Sequence, residues 1–200
     1  GQLFMQIHSI NNLLKKSFSL NELLQPLLTF FSYQAQQKGL MFMSYTHPDV
    51  PDCLHQDAEK IQQILNNLLS NAMRFTESGI IKLHILLKAH QHRTPSLCFR
   101  VVDSGTGISR SALPHIFEPY QQAGNAQQRL NGTGLGLSIS RRLARAMSGD
   151  ITVTSMEGRG STFVFTLPLR LSAASPHSTA LPMQNRQIHG LPPCHGTRIS

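Results

Sequence analysis

Gly132-Thr-Gly-Leu-Gly-Leu137 runs directly into Ser138-Ile-Ser-Arg-Arg-Leu-Ala-Arg-Ala-Met147, a stretch with helical periodicity. Glycines let backbone N–H groups approach an anion closely, and a helix N-terminus adds about half a positive charge, so this junction reads as a phosphate cradle. Two commoner cradles are excluded. No Gly-Lys-Ser/Thr follows, as a Walker A loop requires, and a polar loop rather than a strand precedes it, unlike a Rossmann turn. The fold must therefore be one in which a long polar loop, not a strand, delivers the chain to the phosphate-binding helix.

Working back from that junction, residues 118–131 are rich in Gln, Asn and Gly and poor in apolar residues. A loop of that length is usually a functional lid or disordered. Ser109 is expected to cap a short helix reaching Phe117. Strands are expected at about 80–90 and 97–103, joined by a polar turn around Thr94-Pro95. Asp57 is a good N-cap for a helix through about Phe75, closed by Glu77-Ser-Gly79. Ser19-Leu-Asn-Glu22 fits a capping box opening a helix that stops near Gly39. Residues 40–45 then read as a strand, and residues 1–16 as the end of a truncated dimerisation helix or linker. Downstream, strands at 150–155 and 161–167 flank the turn Glu157-Gly-Arg-Gly160. The order α-β-α-β-β-α-β-β implies an α/β two-layer sandwich, a mixed sheet covered on one face by three helices. Residues 17–170 form the domain. Residues 171–200, without an acidic residue or periodicity, read as a disordered linker or tail.

The helix after Asp57 has two stripes at about 100° per residue. Ile61, Ile64, Leu65, Leu68, Ala72 and Phe75 make the core face, with Leu69 at its margin. Asn67, Asn71 and Arg74 form a narrow polar strip beside it. Such a strip is either a solvated flank or a metal and phosphate ledge. An amide oxygen can complete a Mg²⁺ shell otherwise made of phosphates and water, and an arginine can meet phosphate oxygens directly. Asp103 ends an apolar strand ahead of Gly105 and Gly107. It is either a plain turn or a carboxylate at the sheet edge that accepts the adenine amino proton.

Taken together, these segments resemble the ATP-binding catalytic domain of sensor histidine kinases, within the gyrase/Hsp90/histidine-kinase/MutL ATPase superfamily, over about residues 17–168. Gln63–Thr76 is similar to the family's N box, Asp103-Ser-Gly-Thr-Gly-Ile108 to its first glycine box, and Ile116-Phe-Glu-Pro119 to its F box. Gly132–Leu137 resembles the second glycine box, and Gly158-Arg-Gly-Ser-Thr-Phe163 the closing element. The resemblance implies a Bergerat-type fold that binds ATP and Mg²⁺. It assigns Asn71 to the metal, Asn67 to the phosphates, Asp103 to adenine and Phe117 to anchoring an ATP lid at 118–131. Nucleotide contacts are further implied for Arg74, Gly105, Gly107, Ile108, Gly132, Thr133, Gly134, Leu135, Gly136, Leu137 and Ser161. Arg129 matches an arginine common just before the second glycine box of hybrid-type kinases, placed to touch the γ-phosphate. Two positions depart from the pattern. Arg74 stands where lysine is usual, and Pro119-Tyr-Gln-Gln-Ala-Gly124 lacks two acids that hybrid kinases typically carry there.

Hydrolysing members of the superfamily carry a Glu four residues before the metal Asn; here that residue is Asn67. This favours phosphoryl transfer to a histidine over attack by water. None of the ten histidines has the acceptor context His-Glu/Asp-x-Arg/Lys, so the acceptor is expected on a separate dimerisation domain. The reading is the catalytic fragment of a two-component protein-histidine kinase, acting with that domain and with a response regulator or receiver domain. A degenerate nucleotide-binding interaction module and an ATP-hydrolysing member of the superfamily are the alternatives.

Composition agrees with a globular chain, 40% hydrophobic, and no apolar run approaches the roughly 18 residues of a membrane span. The net charge of +8 is scattered rather than blocked, so nucleic acid is not the expected partner. Three widely spaced cysteines suggest neither a disulfide framework nor a zinc knuckle. A cytoplasmic location without direct membrane contact follows, in a parent protein that could be anchored in an inner membrane.

Overall fold

The computed structural model of the chain describes residues 13–119 and 136–172. Seven strands and three α-helices are formed there: β1 (Lys16–Ser19), α1 (Leu20–Lys38), β2 (Met41–Thr46), β3 (Cys53–Gln56), α2 (Ala58–Phe75), β4 (Ile80–His90), β5 (Arg93–Asp103), α3 (Gly136–Ala146), β6 (Asp150–Met156) and β7 (Gly160–Pro168). A 3₁₀ turn occupies Leu113–His115. The five long strands form one sheet in the order β2-β4-β5-β7-β6. Only β2 and β4 are parallel, because the α2 crossover separates them; the other neighbours are antiparallel.

α1 and α2 each begin on a local cap, and α1 also ends on one. Ser19 caps α1, its Oγ accepting from the Glu22 N–H at 3.2 Å, and Gly39 ends it at φ 69°. Asp57 caps α2 by accepting from the Lys60 N–H at 3.2 Å. The expected core stripe of α2 is buried from Ile61 to Ala72, facing the alternate residues Ile81, Leu83 and Ile85 of β4 and Phe99 and Val101 of β5. Phe99 and Phe165 stack across β5 and β7 with centroids 5.4 Å apart. α3 lies against α2 and β6, completing the helical layer.

Four expectations are corrected. A second, two-stranded antiparallel sheet of β1 and β3 was not foreseen; its strands have four residues each, too short to show an alternation. Lys16, read as the end of a helical segment, already belongs to β1. The β4–β5 hairpin turns at Gln91-His92, with His92 at φ 56°, not at Thr94-Pro95. Pro95 lies inside β5, close to a register irregularity between Lys88 and His90, the kind of position a residue without an N–H can occupy. The helix expected after Ser109 is a single 3₁₀ turn, although Ser109 Oγ does accept from the Ala112 N–H at 3.3 Å. The expectations for residues 1–12, 120–135 and 173–200 lie outside the described residues. No helix among the described residues is long and apolar enough to cross a membrane.

Candidate functional site

The polar strip of α2, the loop after β5, the β6–β7 turn and the start of α3 converge at one end of the sheet. Asn67 Nδ2 donates to Ser140 Oγ at 2.9 Å, which ties α2 to α3. A Cβ added at Gly136 would crowd Asn67 Oδ1, so the last glycine of the second box lets the N-box asparagine keep its present rotamer against α3. Asn71 and Arg74 are half-buried on the same strip. Arg74 has no carboxylate partner among the described residues, and its guanidinium lies 5.9 Å from the Phe75 ring centroid.

Asp103 closes β5 and is 7% exposed. Burial pushes its carboxyl above the usual aspartate range, against the opposing pull of the Gly105 and Ser161 backbone N–H groups. The Gly105 bond measures 2.9 Å. The loop beyond it is wedged in place: the Thr106 N–H donates to the Phe75 carbonyl at 3.1 Å, and Thr106 accepts from the Gly158 N–H at 2.7 Å. A Cβ at Gly105 would meet the Phe75 carbonyl, and one at Gly107, which sits at φ 66°, the Met156 carbonyl. These two glycines therefore serve the close approach of loop to helix end and of loop to hairpin.

Ser161 lies opposite Asp103 in the β5–β7 register and is buried. Its hydroxyl meets Ser155 Oγ at 2.8 Å, and Ser155 Oγ accepts from the Ile108 N–H at 2.8 Å. In the structure Ser161 thus holds Asp103 and the first glycine loop in place. Ser155 is a residue that sequence reasoning missed. The symmetric flanks of the Glu157–Gly160 turn carried the signal, since they put positions 155 and 161 face to face.

Phe117 packs partly into the core, and the Arg141 guanidinium lies 4.4 Å from its ring centroid. Arg141 is itself held by Asp150, with Nε to Oδ1 at 2.9 Å, and Arg145 joins the same carboxylate at 3.1 Å. Burial alone would raise the Asp150 pKa, but the Arg141 bond, the Ile151 N–H and the Arg145 bond outweigh it and hold the carboxyl below its ordinary range. Neither Arg141 nor Asp150 was singled out from the sequence, because nothing local links a helix position to a strand start nine residues on.

Asn67, Asn71, Arg74, Asp103, Gly105, Gly107, Ile108, Phe117, Gly136, Leu137 and Ser161 are described, and they line this end of the fold or support it. Arg129, Gly132, Thr133, Gly134 and Leu135 lie outside the described residues. No group of three or more His, Cys, Asp or Glu side chains is assembled for a metal among the described residues. A cation here would take its ligands from an amide oxygen, phosphates and water. The donor set of Asn67 and Asn71 beside Arg74 fits that type of shell.

Residues 56–171 match the family described as histidine kinase-, DNA gyrase B-, and HSP90-like ATPase. The chain is 38% identical over 157 residues to hybrid signal transduction histidine kinase B of Dictyostelium discoideum, covering 78% of this chain and 8% of that protein. It is 43% identical over 136 residues to the aerobic respiration control sensor protein ArcB of Escherichia coli, covering 67% and 17%. Among solved structures, full-length ShkA in complex with AMPPNP is 31% identical with a TM-score of 0.68, over 82% of this chain and 33% of that one. The catalytic domain of histidine kinase ThkA is 30% identical with a TM-score of 0.63, over 78% and 95%. The chain thus spans less than a fifth of these curated relatives' lengths.

Proposed function

The chain belongs to the histidine kinase-, DNA gyrase B- and HSP90-like ATPase family, and we propose that it is the ATP-binding catalytic domain of a hybrid-type two-component sensor histidine kinase. It binds Mg-ATP and donates the γ-phosphoryl group to a histidine on a separate dimerisation domain, from which the group passes to a receiver domain or response regulator. The observation that carries this reading is the contact of Asn67 with Gly136 and Ser140. It brings the N box and the end of the second glycine box together, in a fold where the carboxylate of Asp103 is buried at the end of the central strand β5 rather than at an edge strand.

Phosphoryl transfer needs positioning and charge neutralisation more than covalent help. Asp103 would accept the adenine amino proton, with Gly105 and Gly107 keeping the loop low enough for the base to approach. Arg74 and the N-terminus of α3 would face the phosphates, the helix end supplying N–H donors and its dipole. Mg²⁺, held at Asn71, would supply charge neutralisation on the triphosphate. Asn67 can position a phosphate oxygen but cannot take a proton from water, as a glutamate there would. That favours transfer to an external imidazole over hydrolysis.

Calorimetric titration of the chain with Mg-ATP tests the reading. Saturable binding, lost with EDTA and weakened at least about tenfold (about 1.4 kcal/mol) in Asn71→Ala, is expected. A folded chain that binds no nucleotide would instead be an interaction module. Steady ATP turnover without any added histidine domain would favour an ATP-hydrolysing function.

A further inference from the structure

The sheet has a second face, opposite the three helices, and no described element covers it. Register assigns its residues. Met41, Met43 and Tyr45 of β2 pair with Ile80, Lys82 and His84 of β4, and His84 in turn lies opposite Arg100 of β5. Met41, Met43 and Tyr45 are 60%, 51% and 55% exposed, a row of large apolar side chains along one strand.

Beside that row stands an unbalanced cluster of cations. Lys82 and Arg100 have no ion pair among the described residues. They flank His84, whose pKa is lowered first by burial and then by the charges of Arg100 and Lys82. Lys88 continues the same alternation along β4. The acid that shares this alternation, Asp150, sits on the far edge strand and is engaged by Arg141 and Arg145. A solvated sheet face would ordinarily mix charges of both signs, and like charges placed this close cost stability. Exposed Met and Tyr beside Arg are instead the composition of a protein–protein interface.

We infer that this open face, built on Met43, Tyr45, Lys82 and Arg100, docks a partner protein through a carboxylate-rich surface. Few cations are present for a duplex, which binds through many phosphate contacts, and fewer than the four to eight typical of a site for anionic lipid. The flat β-surface also lacks the protruding helix or ribbon that enters a groove. The site lies across the sheet from the nucleotide residues, so it does not depend on the proposed catalytic role.

The experiment uses the isotopically labelled 200-residue chain at about 0.15 M salt, where exposed charges are screened beyond about 8 Å. The probes are a glutamate–leucine copolymer, a random-sequence DNA duplex and phosphatidylserine vesicles. The copolymer should shift the amide signals of Met43, Tyr45, Lys82, His84 and Arg100. Its affinity should fall at least about tenfold (about 1.4 kcal/mol) in Lys82→Glu/Arg100→Glu and by less in Lys82→Gln/Arg100→Gln. The control Lys16→Glu/Arg142→Glu, with the same change in net charge, should bind it as the parent does. All three variants should remain folded and keep the parent's Mg-ATP affinity, and Lys82→Gln/Arg100→Gln should melt no lower than the parent. Shifts centred elsewhere, an equal loss in the control pair, or tighter binding of duplex or vesicles to this face would each overturn the assignment.

Discussion

Asp103 carries two opposing demands, and they make its behaviour testable. In the proposed role its carboxylate accepts a hydrogen bond from the adenine amino group, which the ionised form does best, yet burial favours the neutral acid and raises its pKa. As pH falls, the acceptor is therefore lost earlier than for an ordinary aspartate, and Mg-ATP affinity should begin to fall with it. Stability moves the other way. For an acid with a raised folded pKa, the cost of burying the charge is fully present above that pKa and is relieved as pH falls through it. Across the acid range calorimetric affinity should fall while the parent's thermal midpoint gains on that of Asp103→Asn, and Asp103→Asn should flatten the affinity profile while weakening binding at neutral pH. Gly136 gives a second prediction. Alanine there must displace the Asn67 amide, so Gly136→Ala should change urea stability by about 1 kcal/mol or less, the helix-propensity gain offsetting the lost Asn67–Ser140 bond, yet weaken Mg-ATP binding about as much as Asn67→Ala. Equal binding by the alanine variant would refute the packing argument.

α2 organises the site because its N-terminus and its polar strip are fixed by different partners. Asp57 and Lys60 are buried and paired at 2.9 Å, and the same carboxylate accepts the Leu14 backbone N–H at 2.9 Å. One residue thus caps the helix, meets an ammonium and fastens the chain entering the domain. Asp57→Ala should cost about 3–5 kcal/mol, since it removes the carboxylate opposite a buried ammonium as well as a helix cap. Denaturant melts would show this as a lower midpoint with the slope unchanged, and hydrogen exchange should rise first at Leu14 and the start of α2. At the other helix pair, Asp150 holds Arg141 against Phe117. Asp150 has a lowered pKa, so its stabilisation is present above the unfolded value and is lost as pH falls through the folded one. Being partly exposed, the pair is worth about 1 kcal/mol or less. Asp150→Asn should therefore change global stability little while increasing hydrogen exchange at Ile116 and Phe117; unchanged exchange there would mean that Arg141 does not position the ring.

The described residues form one helical layer on the five-stranded sheet, with the short β1–β3 ladder beside it, joined by a core that runs from Phe18 of β1 to Leu167 of β7. Phe165 lies at the centre of it, fully buried against Phe99. Phe165→Ala should cost about 3–5 kcal/mol and lower the thermal midpoint without a specific effect on nucleotide affinity at temperatures where the chain remains folded. Much of this architecture was readable from residue order. Helices show a 3.6-residue stripe that needs no partner to be recognised, as in Ile61–Phe75, and the motif residues Asn67, Asn71, Asp103 and Gly136 announce themselves by type and spacing. The capping residues Ser19 and Asp57 were equally local signals, and both cap as expected. Other features have no local signature. The β1–β3 ladder pairs residues about forty positions apart, Lys16 with Gln56, over strands too short for periodicity. The Arg141–Asp150 bond, the Ser155–Ser161 contact and the cationic row across β4 and β5 all arise from register. The three long helices, the residue types of the candidate nucleotide site and the polar character of residues 118–131 were thus legible in the order of residues, because each depends on side chains a few positions apart. Which side chains face one another across strands, how Gly136 makes room for Asn67 and what the second sheet face presents were decided by the folded chain, because only packing and register bring those distant atoms within contact distance.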